Sequence, residues 1–171
     1  MGTSLQNLQV YNPGHKLKYE LEDDYCVINL VDNWDTIIED DIFVECEDIS
    51  KEAEKLSLRI DTPVISVQYI DDDFLTIDVF SSGKRISHYY LGIDEREIDN
   101  VNILMKAFHL EPSLELVFRR AIKAIYYAWD GIHYIGNLCR VPLWTDTYSD
   151  EPNSYKFEDL SKIVDEINTM M

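Results

Sequence analysis

A chain of 171 residues, 46% hydrophobic and 12% aromatic, has the length and composition of one folded domain (1–171) with a substantial core. That excludes a disordered chain, which needs low hydrophobicity as well as high charge. Thirty-three acids against fifteen bases give a formal charge of −18, a field that repels phosphate backbones and anionic bilayers, so nucleic acid and membrane are discounted as direct partners.

The elements follow in chain order. Residues 1–16 contain the turn signal Asn12-Pro13-Gly14 and are expected to be loosely ordered. Tyr25–Val31 and Ile42–Val44 are short β-rich runs inside the most acidic stretch, where Glu20–Glu54 holds fourteen acids and only Lys51 as a base. A helix is predicted next, capped by Asp48 or Ser50, with Ala53, Leu56, Ser57 and Ile60 as its stripe and Thr62-Pro63 as its stop. Val64–Ile70, Phe74–Phe80 and Ile86–Leu91, separated by Asp71-Asp72-Asp73 and Ser81-Ser82-Gly83-Lys84, predict an antiparallel meander.

The second half is helical. A short helix is predicted over Asn102–Leu110. A longer one opens at Pro112 and carries Leu114, Val117, Phe118, Ala121, Ile122, Ile125 and Trp129 at helical spacing as far as Gly131, which places Trp129 in the core. Another helix is predicted near Ile132–Leu138. Val141-Pro142-Leu143-Trp144 is an extended stop, a polar loop follows, and an amphipathic helix over Phe157–Met171 closes the chain. Strands first and helices later predict an α+β fold, an antiparallel β-meander sheet in the N-terminal half packed against a C-terminal group of helices.

Chemistry-bearing motifs are sparse. Cys26, Cys46 and Cys139 are odd in number, lack a CxxC pair and sit among apolar neighbours, which points to buried thiols in a reducing compartment and a cytoplasmic location. Met1–Val10 has no basic segment followed by an apolar run, so no signal peptide is expected, and no stretch is long and apolar enough to span a bilayer. His15, His88, His109 and His133 include no pair four residues apart. No GxSxG elbow and no glycine-rich phosphate loop occur. No catalytic residue, metal site or cofactor is assigned, and an enzyme is the less favoured class. Asp71-Asp72-Asp73 with Asp78 offers oxygen ligands to a hard cation, but the EF-hand spacing is missing and a plain hairpin turn is the simpler reading. Lys106, Arg119, Arg120, Lys123 and Arg140 make Val101–Arg140 net positive. An anion site and internal pairing with the acidic half are the two readings, and pairing is favoured.

Trp34 lies in Asp32-Asn33-Trp34-Asp35, read as a polar loop in the acidic stretch. An aromatic ringed by carboxylates there would clamp a Lys/Arg-rich partner, and Asp32, Trp34, Asp35, Glu39, Asp40 and Asp41 are the expected partner-binding residues.

Thr62–Gly92, with its Pro-led strand, Asp-rich turn and Gly-bearing turn, together with His133–Trp144, resembles bacterial immunity-like proteins encoded beside toxin genes. The resemblance covers about half the chain, carries over no functional residue and implies an immunity-type role. The expected function is an acidic protein-binding module, an immunity protein or inhibitor that blocks a basic partner such as a nuclease toxin. The alternatives are a small hydrolase-type enzyme with its site between sheet and helices, and a scaffold subunit that binds through an aromatic helical face. Oligomeric state is left open.

Overall fold

The structure, a computed structural model, describes residues 4–39, 49–145 and 154–170. Seven strands form one fully antiparallel sheet: β1 (Leu5–Tyr11), β2 (Tyr25–Val31), β3 (Trp34–Glu39), β4 (Val64–Ile70), β5 (Phe74–Ser81), β6 (Lys84–Gly92) and β7 (Glu95–Asp99), in the order β2-β3-β1-β4-β5-β6-β7. Five helices follow the expected α+β division, with α1 (Ile49–Ser57) between β3 and β4, and α2 (Val101–Ala107), α3 (Glu115–Ala124), α4 (Ala128–Cys139) and α5 (Leu160–Thr169) after the sheet.

Strand periodicity divides the core in two. Ile65, Val67 and Tyr69 of β4 lie opposite Val79, Ile77 and Leu75 of β5, and their face packs against α2–α5. Leu8, Val10, Ile37, Val64 and Phe80 point the other way and are covered by Ile49, Ala53 and Leu56 of α1. Among the described residues the sheet is therefore a middle layer, with four helices on one side and one helix on the other. The predicted second strand at Ile42–Val44 and the Asp48 cap lie outside the described residues.

The N-terminus departs from expectation. Residues 5–11 form an inner strand, paired to β3 and β4, although residues 1–16 were expected to be loosely ordered. Asn7 and Gln9, poor strand formers by composition, are fully buried on the four-helix face. Their amides are satisfied there: Asn7 Nδ2 donates to the Leu143 carbonyl at 2.9 Å, and Gln9 Nε2 donates to Asn7 Oδ1 at 2.8 Å and to the Pro142 carbonyl at 3.0 Å. These bonds staple the extended Val141–Trp144 segment across the sheet and fix where Trp144 emerges.

The long helix expected from Pro112 to Gly131 is broken. A 3-10 turn at Pro112–Leu114 leads into α3, and Ile125 and Tyr127 are extended before α4 begins. Arg96 of β7 donates to the carbonyls of Lys123 and Ile125, taking two acceptors that the end of a helix leaves open. The break resets the helical phase. Ala128, Ile132, Ile135 and Leu138 become the inward stripe of α4, and Trp129, expected in the core, is 48% exposed. β7 was missed for a different reason: all five of its residues are exposed, so Glu95-Arg96-Glu97-Ile98-Asp99 carries no apolar alternation, only the charged character of a protected edge strand.

Candidate functional site

The two ends of the sheet present different chemistry, and α4 runs from one to the other. At one end lie the β4–β5 turn, the β6–β7 turn and the start of α4. Asp71 and Asp72 take positive φ (53° and 64°), a conformation that Asp tolerates in tight turns, and Asp73 N–H closes the turn onto the Ile70 carbonyl at 3.1 Å. The three carboxylates at this tip are exposed, and the exposed Asp94 occupies the next turn. Beside them stand the aromatics that the α3–α4 break turns outward, Tyr126 (56% exposed), Tyr127 (66%) and Trp129. Tyr126 donates its hydroxyl to Asp94 Oδ1 at 2.7 Å. Tyr69 donates to Asp72 Oδ1 at 3.0 Å, and burial with the neighbouring carboxylates pushes its phenol up to about 12, so it remains a donor.

At the opposite end, a cleft of about 600 Å3 opens between the β2–β3 turn, the α2–α3 connection and the ends of α4 and α5. Its floor is aromatic: His109 stacks on Tyr11 with ring centres 3.6 Å apart, and both meet Trp34 edge-on. Arg140, at the left-handed C-terminus of α4 (φ 56°), lines it, with Nη1 donating to the Glu158 carbonyl at 2.6 Å and the guanidinium over Phe157. Burial holds the His109 imidazole below its ordinary pKa. No carboxylate oxygen lies within 4 Å of its ring nitrogens among the described residues. The Cys139 thiol in the wall is pushed far up by burial, which makes it a poor nucleophile.

The six residues expected to bind a partner do not form one face. Only Asp32 and Asn33 make the β2–β3 turn, so Trp34 is the first residue of β3, is 4% exposed and points into the four-helix core instead of lying on a polar loop. Asp32 is exposed at the rim of the cleft that Trp34 lines. Asp35 faces the other side of the sheet and is 2% exposed. Its Oδ2 accepts from Asn12 Nδ2 and from the Tyr19 hydroxyl, each at 2.6 Å, and its Oδ1 pairs with His15 Nδ1. That network pins the β1–β2 connection. Glu39 ends β3 opposite Tyr25, and Asp40 and Asp41 lie outside the described residues.

One further expectation is corrected. Arg119, Arg120 and Lys123 have no carboxylate within 4 Å among the described residues. Arg119 donates to Asn102 Oδ1 and Arg120 Nη1 to Asn168 Oδ1 at 3.0 Å, so the favoured pairing with the acidic half is not formed there. Ion pairs run instead within each half of the chain, such as Lys55 with Glu22 at 2.6 Å and Lys162 with Glu158 at 2.7 Å. The Asp71–Asp73 segment is the plain hairpin turn favoured for it, and Asp78 stands apart from it. Asp78 is buried within its strand, with His88 Nδ1 at 2.5 Å and Arg85 Nη1 at 3.8 Å. Among the described residues no group of three or more His, Cys, Asp or Glu is placed to hold a metal ion, and no helix is long and apolar enough to cross a membrane.

The exposed aromatic and acidic end was hidden in the sequence by the broken helix. The signal available was Tyr126-Tyr127, two aromatics of which at most one can follow a helical apolar stripe. Comparison with protein families, with curated proteins and with solved structures finds no match to this chain.

Proposed function

We propose that this chain is a protein-binding module for a basic partner, acting as an immunity-type protein or inhibitor that covers its partner's cationic surface. The observation that carries the reading is the shared location of exposed aromatics and carboxylates at the hairpin-tip end. Tyr126, Tyr127 and Trp129 share that end with the exposed Asp71, Asp72, Asp73 and Asp94 and the half-buried Asp130. Aromatics supply contact area at low entropy cost, while the surrounding carboxylates select the sign of the partner. This is the chemistry expected around Trp34, relocated to the other end of the sheet. The net charge of −18 attracts a basic protein over the range of a Debye length, so association is fast at low salt and slows as salt rises. A nuclease that recognises phosphate is one class of basic protein such a surface would occlude.

The test is capture from the native host with tagged protein at low and at high salt, run beside a variant carrying Asp71→Asn, Asp72→Asn, Asp73→Asn, Asp94→Asn and Asp130→Asn. Asn keeps the shape and tolerates positive φ, so the turns persist. Recovery of one basic protein by the wild type at low salt, lost both at high salt and with the variant, is the expected result. Equal recovery by variant and wild type overturns the reading.

A further inference from the structure

Tyr69, Asp72, Tyr127, Trp129, Asp130 and Trp144 line one shallow depression of about 570 Å3 at the hairpin-tip end. Trp129 and Trp144 meet with ring centres 4.9 Å apart and planes at 82°, so their faces form a corner. Tyr69 closes the floor, its ring edge-on to Trp144 at 5.6 Å, and its hydroxyl fixes the Asp72 carboxylate beside the corner. Asp130 follows Trp129 in the first turn of α4. No Lys, Arg or His nitrogen lies within 4 Å of the Asp72 or Asp130 carboxylate among the described residues, and His133, which stacks on Trp129 with ring centres 6.4 Å apart, does not line the depression, so its lining is ring faces and two carboxylates. Trp144 is held in place from behind by the bonds of Asn7 and Gln9 to the segment before it.

We infer that this corner is a binding site for a single alkylammonium group, the lysine side chain of the basic partner. The assignment of the source to a partner protein rests on the function proposed above, and the site itself does not. An ammonium head is compact and presents positive charge in every direction, so it gains from two perpendicular indole faces at once. A planar guanidinium stacks on one face and leaves the second unused. An anion meets two carboxylates, and an uncharged apolar group desolvates them without compensation.

The experiment titrates the whole protein with tetramethylammonium chloride and, separately, with a short lysine peptide, following the indole N–H signals of the three tryptophans. Neopentyl alcohol serves as the uncharged probe of similar shape. Trp34, buried at the other end of the sheet, is an internal reference. The expected result is saturable movement of the Trp129 and Trp144 signals with Trp34 unmoved, and no saturation by the alcohol. Trp129→Leu, at an exposed position, is expected to weaken binding about fivefold to tenfold. Asp72→Asn with Asp130→Asn is expected to weaken it several-fold while leaving the fold intact. Saturation by the lysine peptide supports the site and its source, whereas saturation by tetramethylammonium alone overturns the lysine assignment. Failure of both cations to saturate, or equal binding of the alcohol, overturns the site. Salt-sensitive capture of a basic protein that survives Trp129→Leu removes the corner from the interface and leaves the partner reading standing.

Discussion

The hydroxyl of Tyr19 donates to Asp35 Oδ2 at 2.6 Å, tying the β1–β2 connection to a strand whose side chain is almost wholly buried. Asn12 completes the pairing at the same oxygen. Because Asp35 is spent inside the fold, its replacement should act on stability. Asp35→Ala leaves the Asn12 amide and the Tyr19 hydroxyl without their acceptor, and an unfolding free-energy loss of about 2–4 kcal/mol is expected in urea titration. Tyr19→Phe removes a single donor and is expected to cost about 1 kcal/mol. Burial and the carboxylate raise the Tyr19 phenol above its ordinary 10.0. The stability from that raised pKa is complete below pH 10 and is lost as pH climbs through the folded value. Tyr19→Phe should therefore unfold less steeply in alkali than the wild type.

Glu52 of α1 gives the opposite experiment, at the acid end. It is 3% exposed against the sheet, and its Oε1 has no hydrogen-bond partner among the described residues. Burial, reinforced by the nearby Glu22 carboxylate, raises its pKa above the ordinary 4.5. The folded state then holds a proton that the unfolded state has released, so stability falls as pH rises from about 4.5 through the folded pKa. Glu52→Gln removes that loss. Urea midpoints should be similar for the two proteins near pH 4 and higher for Glu52→Gln at pH 7. Repulsion among the other acids changes with pH in both proteins, so the difference between them isolates Glu52.

The meander over 64–91 was legible because its two turns and its alternation of apolar residues are both local. The sheet's other half was not. β1 carries polar residues on its four-helix face, and Asn7 and Gln9 are acceptable there only because Pro142 and Leu143, more than 130 positions away, supply carbonyls. The exposure of Trp129 depends on Arg96 holding the end of α3, again a contact between distant segments. Trp34 was misplaced by one short step: a loop of Asp32 and Asn33 alone makes the next residue a strand residue, and period-two geometry sends Trp34 and Asp35 to opposite faces. The site chemistry, aromatics with carboxylates, was readable from composition, but its location was set by tertiary contacts.

Gly131 sets how closely α4 lies on the sheet. A Cβ there would meet Leu75 Cδ2 at 2.6 Å and Leu91 Cδ2 at 3.4 Å, and Leu75 is fully buried, so its side chain would have to shift within the core. Ala is the better helix former by about 1 kcal/mol, whereas overpacking a dense core costs about 1–3 kcal/mol. Gly131→Ala is therefore expected to be destabilising by about 1 kcal/mol, measured as a lower urea midpoint. Because Trp129 lies two residues earlier on the same helix, its indole signal should shift as α4 is pushed outward, while that of Trp34 should not.

Trp34 and Trp129 separate stability from recognition most sharply. Trp34 is 4% exposed in the core between the sheet and helices α2–α5, so Trp34→Ala should cost about 3–5 kcal/mol. Trp129 is half in solvent, and Trp129→Ala should cost less than about 1 kcal/mol of fold while weakening capture of the basic partner. Paired urea titrations and capture at low salt read both quantities on the same two proteins. A Trp34→Ala protein that remains folded under the assay conditions should retain its partner, because its lost contacts lie at the cleft end. If instead Trp34→Ala abolishes capture while folded and Trp129→Ala does not, the partner sits over the cleft with Asp32 and Arg140, and the hairpin-tip end is not the recognition surface.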